Sequence, residues 1–321
     1  MEQVREVLET RQVAIYFVAI AIGALVGLSL SGATALEVAI NPALAIMLFV
    51  TFLQVPLAEL GKAIRNMRFL GALLLTNFVV MPVVTAVLVQ FLPSDPMLRL
   101  AVLFVLLTPC IDYVVTFTQL GRGDARLLLG ATPALLLLQM VLLPVYLQFL
   151  LGGDASALVQ PGPFIHAFVW LIVVPLMLAG GVQIWAALAE TGRKAAGALG
   201  LLPVLSTALV LFLVLASVMP RIAEAGDAAL TAVPIYVIYA IAAPVIGGLV
   251  ASALGLETAA IRAVSFSAAT RNSLVVMPLA FAVPGGVPLV PAVIVTQTII
   301  ELVSELLYVR WIPRLSRRVS I

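Results

Sequence analysis

Long apolar runs, separated by short polar or charged segments, dominate the chain. About 20 apolar residues in a helix cross the hydrocarbon core of a bilayer. By that measure the pattern predicts ten spans, at about 12–30, 39–59, 69–92, 98–120, 126–151, 164–188, 200–220, 229–254, 258–283 and 287–310. The runs are continuous, whereas a membrane β-barrel shows short segments that alternate apolar and polar. Glu2, Glu6 and Glu9 precede the first run, unlike the basic start of a signal peptide. That run is read as a retained first helix.

Composition narrows the class. Of 321 residues, 63% are hydrophobic and 10% charged, and mean hydropathy is +1.22. Ordinary soluble domains carry about 25% charged residues. A soluble fold of this size could not hide so much apolar surface. A soluble enzyme, a nucleic-acid binder and a disordered chain are excluded, and an all-α membrane protein is expected. No Walker motif, zinc-protease motif, nucleophile elbow or dinucleotide fingerprint occurs, so neither enzymatic chemistry nor ATP coupling is expected. Cys110 is the one cysteine and His166 the one histidine. An intramolecular disulfide and a His-based metal cluster are thereby excluded, and no cofactor or metal is expected.

The net charge of +2 says less than its placement. With both termini cytoplasmic, the inner segments collect all of the 17 Lys and Arg except Arg99, Arg221 and the intramembrane Arg271. That asymmetry obeys the positive-inside rule and supports an even number of spans. The chain then divides into a first half (1–151), an external linker (152–163), a second half (164–311) and a basic cytoplasmic tail (312–321). Five spans is an odd number, so the halves lie in opposite orientations, a frequent plan among secondary transporters. Each half carries a helix-breaking or polar cluster in its fourth span. These are Thr108-Pro109-Cys110-Ile111-Asp112 and Thr270-Arg271-Asn272-Ser273. The expected architecture is ten transmembrane helices in two inverted five-helix repeats, with broken helices four and nine crossing at the midplane.

Ionisable groups at that depth are expensive and mark function. Asp112, Arg271, Glu301 and Glu305 lie inside predicted spans, and Cys110, Arg271 and Glu301 fall near one depth. Pro109 removes a backbone donor and breaks the fourth span. Cys110 beside it is either a small buried apolar group or a soft ligand, since thiolate sulfur binds soft metals and metalloids. Asp112 either complements the start of the following half-helix, pairs with Arg271 or carries a proton. Asn272 and Ser273 are good N-cap residues for a half-helix from about Leu274 to Ala282. Arg271 is either a structural counter-ion or a substrate-anion anchor. Glu301 and Glu305 stand one turn apart on a shared face, placed to exchange protons. For Glu305, simple solvation in a cytoplasmic vestibule is the alternative. Gly23-x-x-x-Gly27 and Gly247-Gly248 read as close helix packing.

Together these features resemble the bile acid:sodium symporter superfamily over nearly the whole chain. Thr108-Pro109-Cys110 with Gly121-Arg122-Gly123-Asp124, Ser267 to Ser273 and the mid-span Glu301 look like its arsenite-efflux branch. The resemblance implies that Cys110 binds trivalent arsenic and that Glu301 serves proton exchange. The chain departs from the best-known carriers of that branch at Pro109, Asp112 and Arg271, so it is a divergent member. The resemblance also puts Arg271 and Ser267 where sodium-coupled relatives carry a glutamine and a glutamate. A cation there argues against bound sodium. The expected function is proton-coupled export of arsenite, or a related trivalent metalloid, by alternating access in the plasma (inner) membrane. Cys110, Asn272 and Arg271 would meet the substrate, and Glu301, Asp112 and Glu305 the proton. The alternative is a sodium- or proton-coupled symporter of a small organic anion. The partners expected are the substrate, protons and lipid, with no nucleic acid.

Overall fold

A computed structural model of the chain describes residues 2–30, 32–54, 66–111, 113–152 and 161–319. The described residues are helical, with no strand beyond one isolated bridge. In chain order come α1 (Glu2–Ser29), a 3-10 segment (Ala33–Ala39), α2 (Ile40–Gln54) and α3 (Met67–Val89, with a π-helical turn at Thr76–Val80). Then follow α4 (Pro96–Leu106), α5 (Tyr113–Leu120), α6 (Ala125–Leu151), α7 (161–188, π-helical at Val169–Val173) and α8 (Glu190–Leu199). The last are α9 (Leu202–Val218), α10 (Ile222–Ala253), α11 (Thr258–Ala269), α12 (Ser273–Phe281) and α13 (Leu289–Val319).

Among the described residues, seven helical stretches are long and apolar enough to cross a membrane. Of the rest, Pro96–Leu106 and Val174–Leu188 are shorter apolar helices. Large apolar side chains point outward on many helices, among them Leu25, Phe149, Leu188 and Leu230. A soluble monomer rarely exposes so much contiguous apolar surface, and a lipid-facing one does. The protein is a multi-pass membrane protein.

Helix boundaries depart from the hydropathy reading at several places, among them the start of α10 at Ile222 rather than about 229. α1 begins at Glu2 rather than near residue 12, α13 continues to Val319 rather than about 310, and residues between the sixth and seventh predicted spans form α8. Hydropathy detects the part of a helix that lipid can solvate, not the part that water can. In α1 and α8 the added turns carry pairs one turn apart, Arg5 with Glu9 at 2.7 Å and Lys194 with Glu190 at 3.0 Å. Such pairs support a helix beyond its apolar stretch.

The chain forms two compact units. The first comprises Met1–Gln54, Gln160–Gly226 and Met277–Ala292. Within it α1 lies close along α9. A Cβ on Gly23 would sit 2.6 Å from the Phe212 carbonyl oxygen, and one on Gly27 2.6 Å from Met219 Cβ. α2 and α7 are joined by a side-chain bond. Gln183 of α7 donates through Nε2 to Phe52 O at 3.3 Å and Leu53 O at 3.2 Å.

The second unit comprises Val55–Val159, Asp227–Val276 and Val293–Ile321. Its centre is α4 and α11. Leu98 and every residue from 100 to 111 are buried, and so is every residue from 263 to 276. A helix that is apolar all round belongs in a core. Loop acids start the neighbouring helices. Asp95 accepts from Met97 N and Leu98 N ahead of Pro96, and Asp124 accepts from Leu127 N. The Gly121-Arg122-Gly123-Asp124 loop is seated on α11, with Asp124 N donating to Ala259 O at 2.9 Å. A Cβ on Gly121 would come within 2.3 Å of the Phe266 ring. The motif is therefore a packing device.

Candidate functional site at the helix crossing

The site lies inside the second unit, where both central helices stop short. α4 ends at Leu106, and the Thr108 hydroxyl folds back to Phe104 O (2.9 Å) and Val105 O (3.1 Å). Pro109 has no N–H to offer the carbonyl four residues before it. α11 ends at Ala269, and the Thr270 hydroxyl folds back in the same way to Phe266 O at 2.7 Å. Beyond each threonine the backbone leaves the helix, and the two segments pair antiparallel with Pro109 opposite Arg271. Cys110 N donates to Thr270 O at 3.1 Å and Asn272 N to Thr108 O at 2.8 Å. The chain resumes as α5 at Tyr113 and α12 at Ser273. Both interruptions expected from the sequence are present, and they meet.

α13 closes the crossing from one side. Glu301 accepts three hydrogen bonds: from Arg271 N at 2.7 Å, from Gln297 Nε2 at 2.6 Å and from the Tyr113 hydroxyl. Glu305, one turn on, accepts from the Thr270 hydroxyl through Oε1. Its Oε2 has no hydrogen-bond partner among the described residues. Thr298 donates to Ser273 Oγ at 2.8 Å. Both glutamates thus meet the second break directly, as their spacing on one face allows.

Arg271 is fully buried. Its guanidinium donates to Asn77 Oδ1 (2.8 Å), Ser267 O (2.7 Å), Ala268 O (2.6 Å) and Leu106 O (3.4 Å), and lies 5.5 Å from the centre of the Tyr239 ring. Asn77 stands on the π-helical turn of α3 and also donates to Ser267 Oγ at 2.9 Å. Cys110 is buried, its backbone in the bridge. Asn272 is buried too, and its Nδ2 has no hydrogen-bond partner among the described residues. Asp112 lies outside the described residues, as does the proposed pairing with Arg271.

Sequence reasoning did not single out Asn77, Tyr113, Tyr239 or Gln297. Gln297 carried a signal, a polar residue one turn before Glu301 in an apolar run. Asn77 likewise interrupts an apolar run, but its partners are 190 and 194 residues away.

Comparison with known proteins gives a match between residues 41–225 and the model of the sodium bile acid symporter family. The chain belongs to the sodium bile acid symporter family. The matched stretch contains the first break, with Pro109 and Cys110. No curated protein matches the sequence. Members of the symporter family are transporters. Membership therefore makes this chain a solute transporter.

Proposed function

We propose that this member of the family exports arsenite, or a related trivalent metalloid, in exchange for protons. What carries the reading is that the single cysteine sits buried in the bridge between the two breaks. Its backbone neighbour across that bridge precedes the residue whose N–H is bound by Glu301. Arsenite is uncharged at neutral pH and needs a soft ligand rather than a counter-ion. Cys110 would exchange its S–H and one As–OH for an As–S bond and a molecule of water. Attack by water on the opposite side of the membrane reverses the step. Glu301, with Glu305 and Asp112, would carry the proton, and Asn272 would line the substrate's position.

In this reading the chain has ten spans in two inverted halves, lies in the plasma membrane and keeps both termini in the cytoplasm. The reciprocal bonds between residues 108–110 and 270–272 support such a relation, since each break does for the other what the other does for it. Arsenite uptake into everted membrane vesicles, driven by an imposed proton gradient, tests the assignment. Cys110→Ser should reduce uptake to the level of empty vesicles, and unchanged uptake by that variant would overturn the mechanism.

The family's description favours a second reading, sodium- or proton-coupled symport of a small organic anion. Arg271 and the N-termini of α5 and α12 would then hold the carboxylate. The protein oxygens already bonded to the guanidinium count against it. A thermal-shift panel of arsenite, antimonite and organic anions, each with and without sodium, separates the two.

A further inference from the structure

Every carbonyl in an unbroken helix is bonded by the N–H four residues on, and a break leaves those acceptors to be satisfied elsewhere. At this crossing three such acceptors converge on one side chain. Cys110 N would have bonded Leu106 O, but it bonds Thr270 O. Arg271 N would have bonded Ser267 O, but it bonds Glu301. Asn272 N would have bonded Ala268 O, but it bonds Thr108 O. The carbonyls so released are Leu106 O, Ser267 O and Ala268 O. The Arg271 guanidinium donates to all of them and to Asn77 Oδ1. Tyr239 shares Ala268 O through its hydroxyl at 3.1 Å and offers its ring to the cation.

This is an oxygen cage of neutral acceptors at the negative ends of two half-helices. Such a set attracts a cation, and half-helix C-termini with unwound carbonyls are where transporters hold coupling sodium ions. Here the position is filled by a charge covalently tied to the chain. We propose that Arg271 is a tethered cation that takes the place of a dissociable sodium ion at the crossing, so that the transport cycle runs without sodium at this position. The oxygens that could ligate sodium are consumed by N–H donors. A second cation beside the guanidinium would face direct repulsion. The family is described by its sodium dependence, and the residues of this chain do not fit that ion here. An arginine neither dissociates nor loses its charge, so this position supplies no exchangeable coupling ion.

The test uses the full-length protein in detergent and in vesicles. Wild-type protein should show the same Tm and the same transport rate in sodium and in choline chloride, and no saturable binding of radioactive sodium. Arg271→Ala opens the cage. It should lose thermal stability in choline and regain several degrees, saturably, on addition of sodium or of millimolar guanidinium. Saturable sodium stabilisation of the wild type would overturn the proposal. So would an Arg271→Ala protein that folds and responds to no cation. If Arg271→Ala does not accumulate, Arg271→Lys and Arg271→Gln decide. Lysine keeps a charge in the cage and should be the more stable of the two in choline, whereas equal stability of the neutral variant would overturn the proposal. Should neither accumulate, sodium binding by the wild type decides alone, its absence supporting the proposal and its presence overturning it. Apart from the transport rate, none of these readings depends on the solute, so failure of Cys110→Ser to abolish arsenite uptake and failure of the tethered cation are separate results.

Discussion

Glu301 shows how one side chain can hold a fold together and still be available to chemistry. Its carboxylate caps an N–H released by the second break and takes donors from α5 and from its own helix. Glu301→Gln keeps one acceptor oxygen and nearly the same volume. Glu301→Ala leaves the Arg271 N–H buried with nothing to bond. An unsatisfied buried donor costs about 1–3 kcal/mol. Glu301→Ala should therefore unfold well below wild type in a detergent thermal scan, and Glu301→Gln should fall between them. Under the proposed coupling both variants lose proton-driven uptake, while Glu301→Gln retains binding of arsenite by thermal shift. Loss of binding in Glu301→Gln would mean that the carboxylate holds substrate rather than protons. The charged groups of this site were legible in the sequence because each is costly in an apolar run, and the sulfur because Cys110 is the one cysteine and follows a proline. Tyr113 and Tyr239 were not, because an aromatic residue is unexceptional in a membrane helix and only the fold reveals that its hydroxyl reaches a break.

Helix ends and crossings are decided by space as much as by hydropathy. The loop after α5 approaches α11 so closely that a methyl group at Gly121 would overlap the buried Phe266 ring. Overpacking a tight contact costs about 1–3 kcal/mol. Gly71, by contrast, sits on the exposed side of α3, and a methyl group added there would have nothing within 4 Å. Replacing a mid-helix glycine by alanine at such a place should gain roughly 0.5–1 kcal/mol. Gly121→Ala should thus lower Tm and Gly71→Ala hold or raise it, and the same response from both would refute the packing argument. Paired comparison matters because detergent shifts both baselines alike. At this scale the sequence made the apolar cores of the helices plain, together with both breaks, since each break carries a cluster of polar residues in an otherwise apolar run, whereas Pro133, Pro144, Pro234 and Pro244 stand in apolar surroundings inside continuous helices. It concealed the outer turns of α13, and also α8 and the outer turns of α1, where charged pairs rather than lipid sustain the helix.

The two compact units do not follow the two halves of the sequence. Each draws on residues from both, the second on 55–159 from the first half and on 227–276 and 293–321 from the second. Hydropathy orders the spans along the chain but carries no information about which spans pack together, so this interleaving could not be read from the pattern. It has a consequence for folding. A fragment ending near residue 152 contains α4 and α5 but lacks Thr270, Arg271 and Asn272, which satisfy Cys110 N, Leu106 O and Thr108 O. A fragment starting near residue 161 keeps the second break without the partners supplied by the first, and loses Asn77 as well. Polar backbone left unpaired in lipid costs several kcal/mol per group, so neither fragment should be stable alone. Expressed together from separate reading frames, they should assemble, because the crossing is built from backbone bonds that need no covalent link between the halves. Affinity purification through a tag on one fragment should recover the other in equal amount, with the same Tm in sodium and in choline chloride, as for the intact chain. Recovery of the 1–152 fragment alone as a stable, monodisperse species would show that the first half folds by itself, and that the bridge is a consequence of the fold rather than a condition for it.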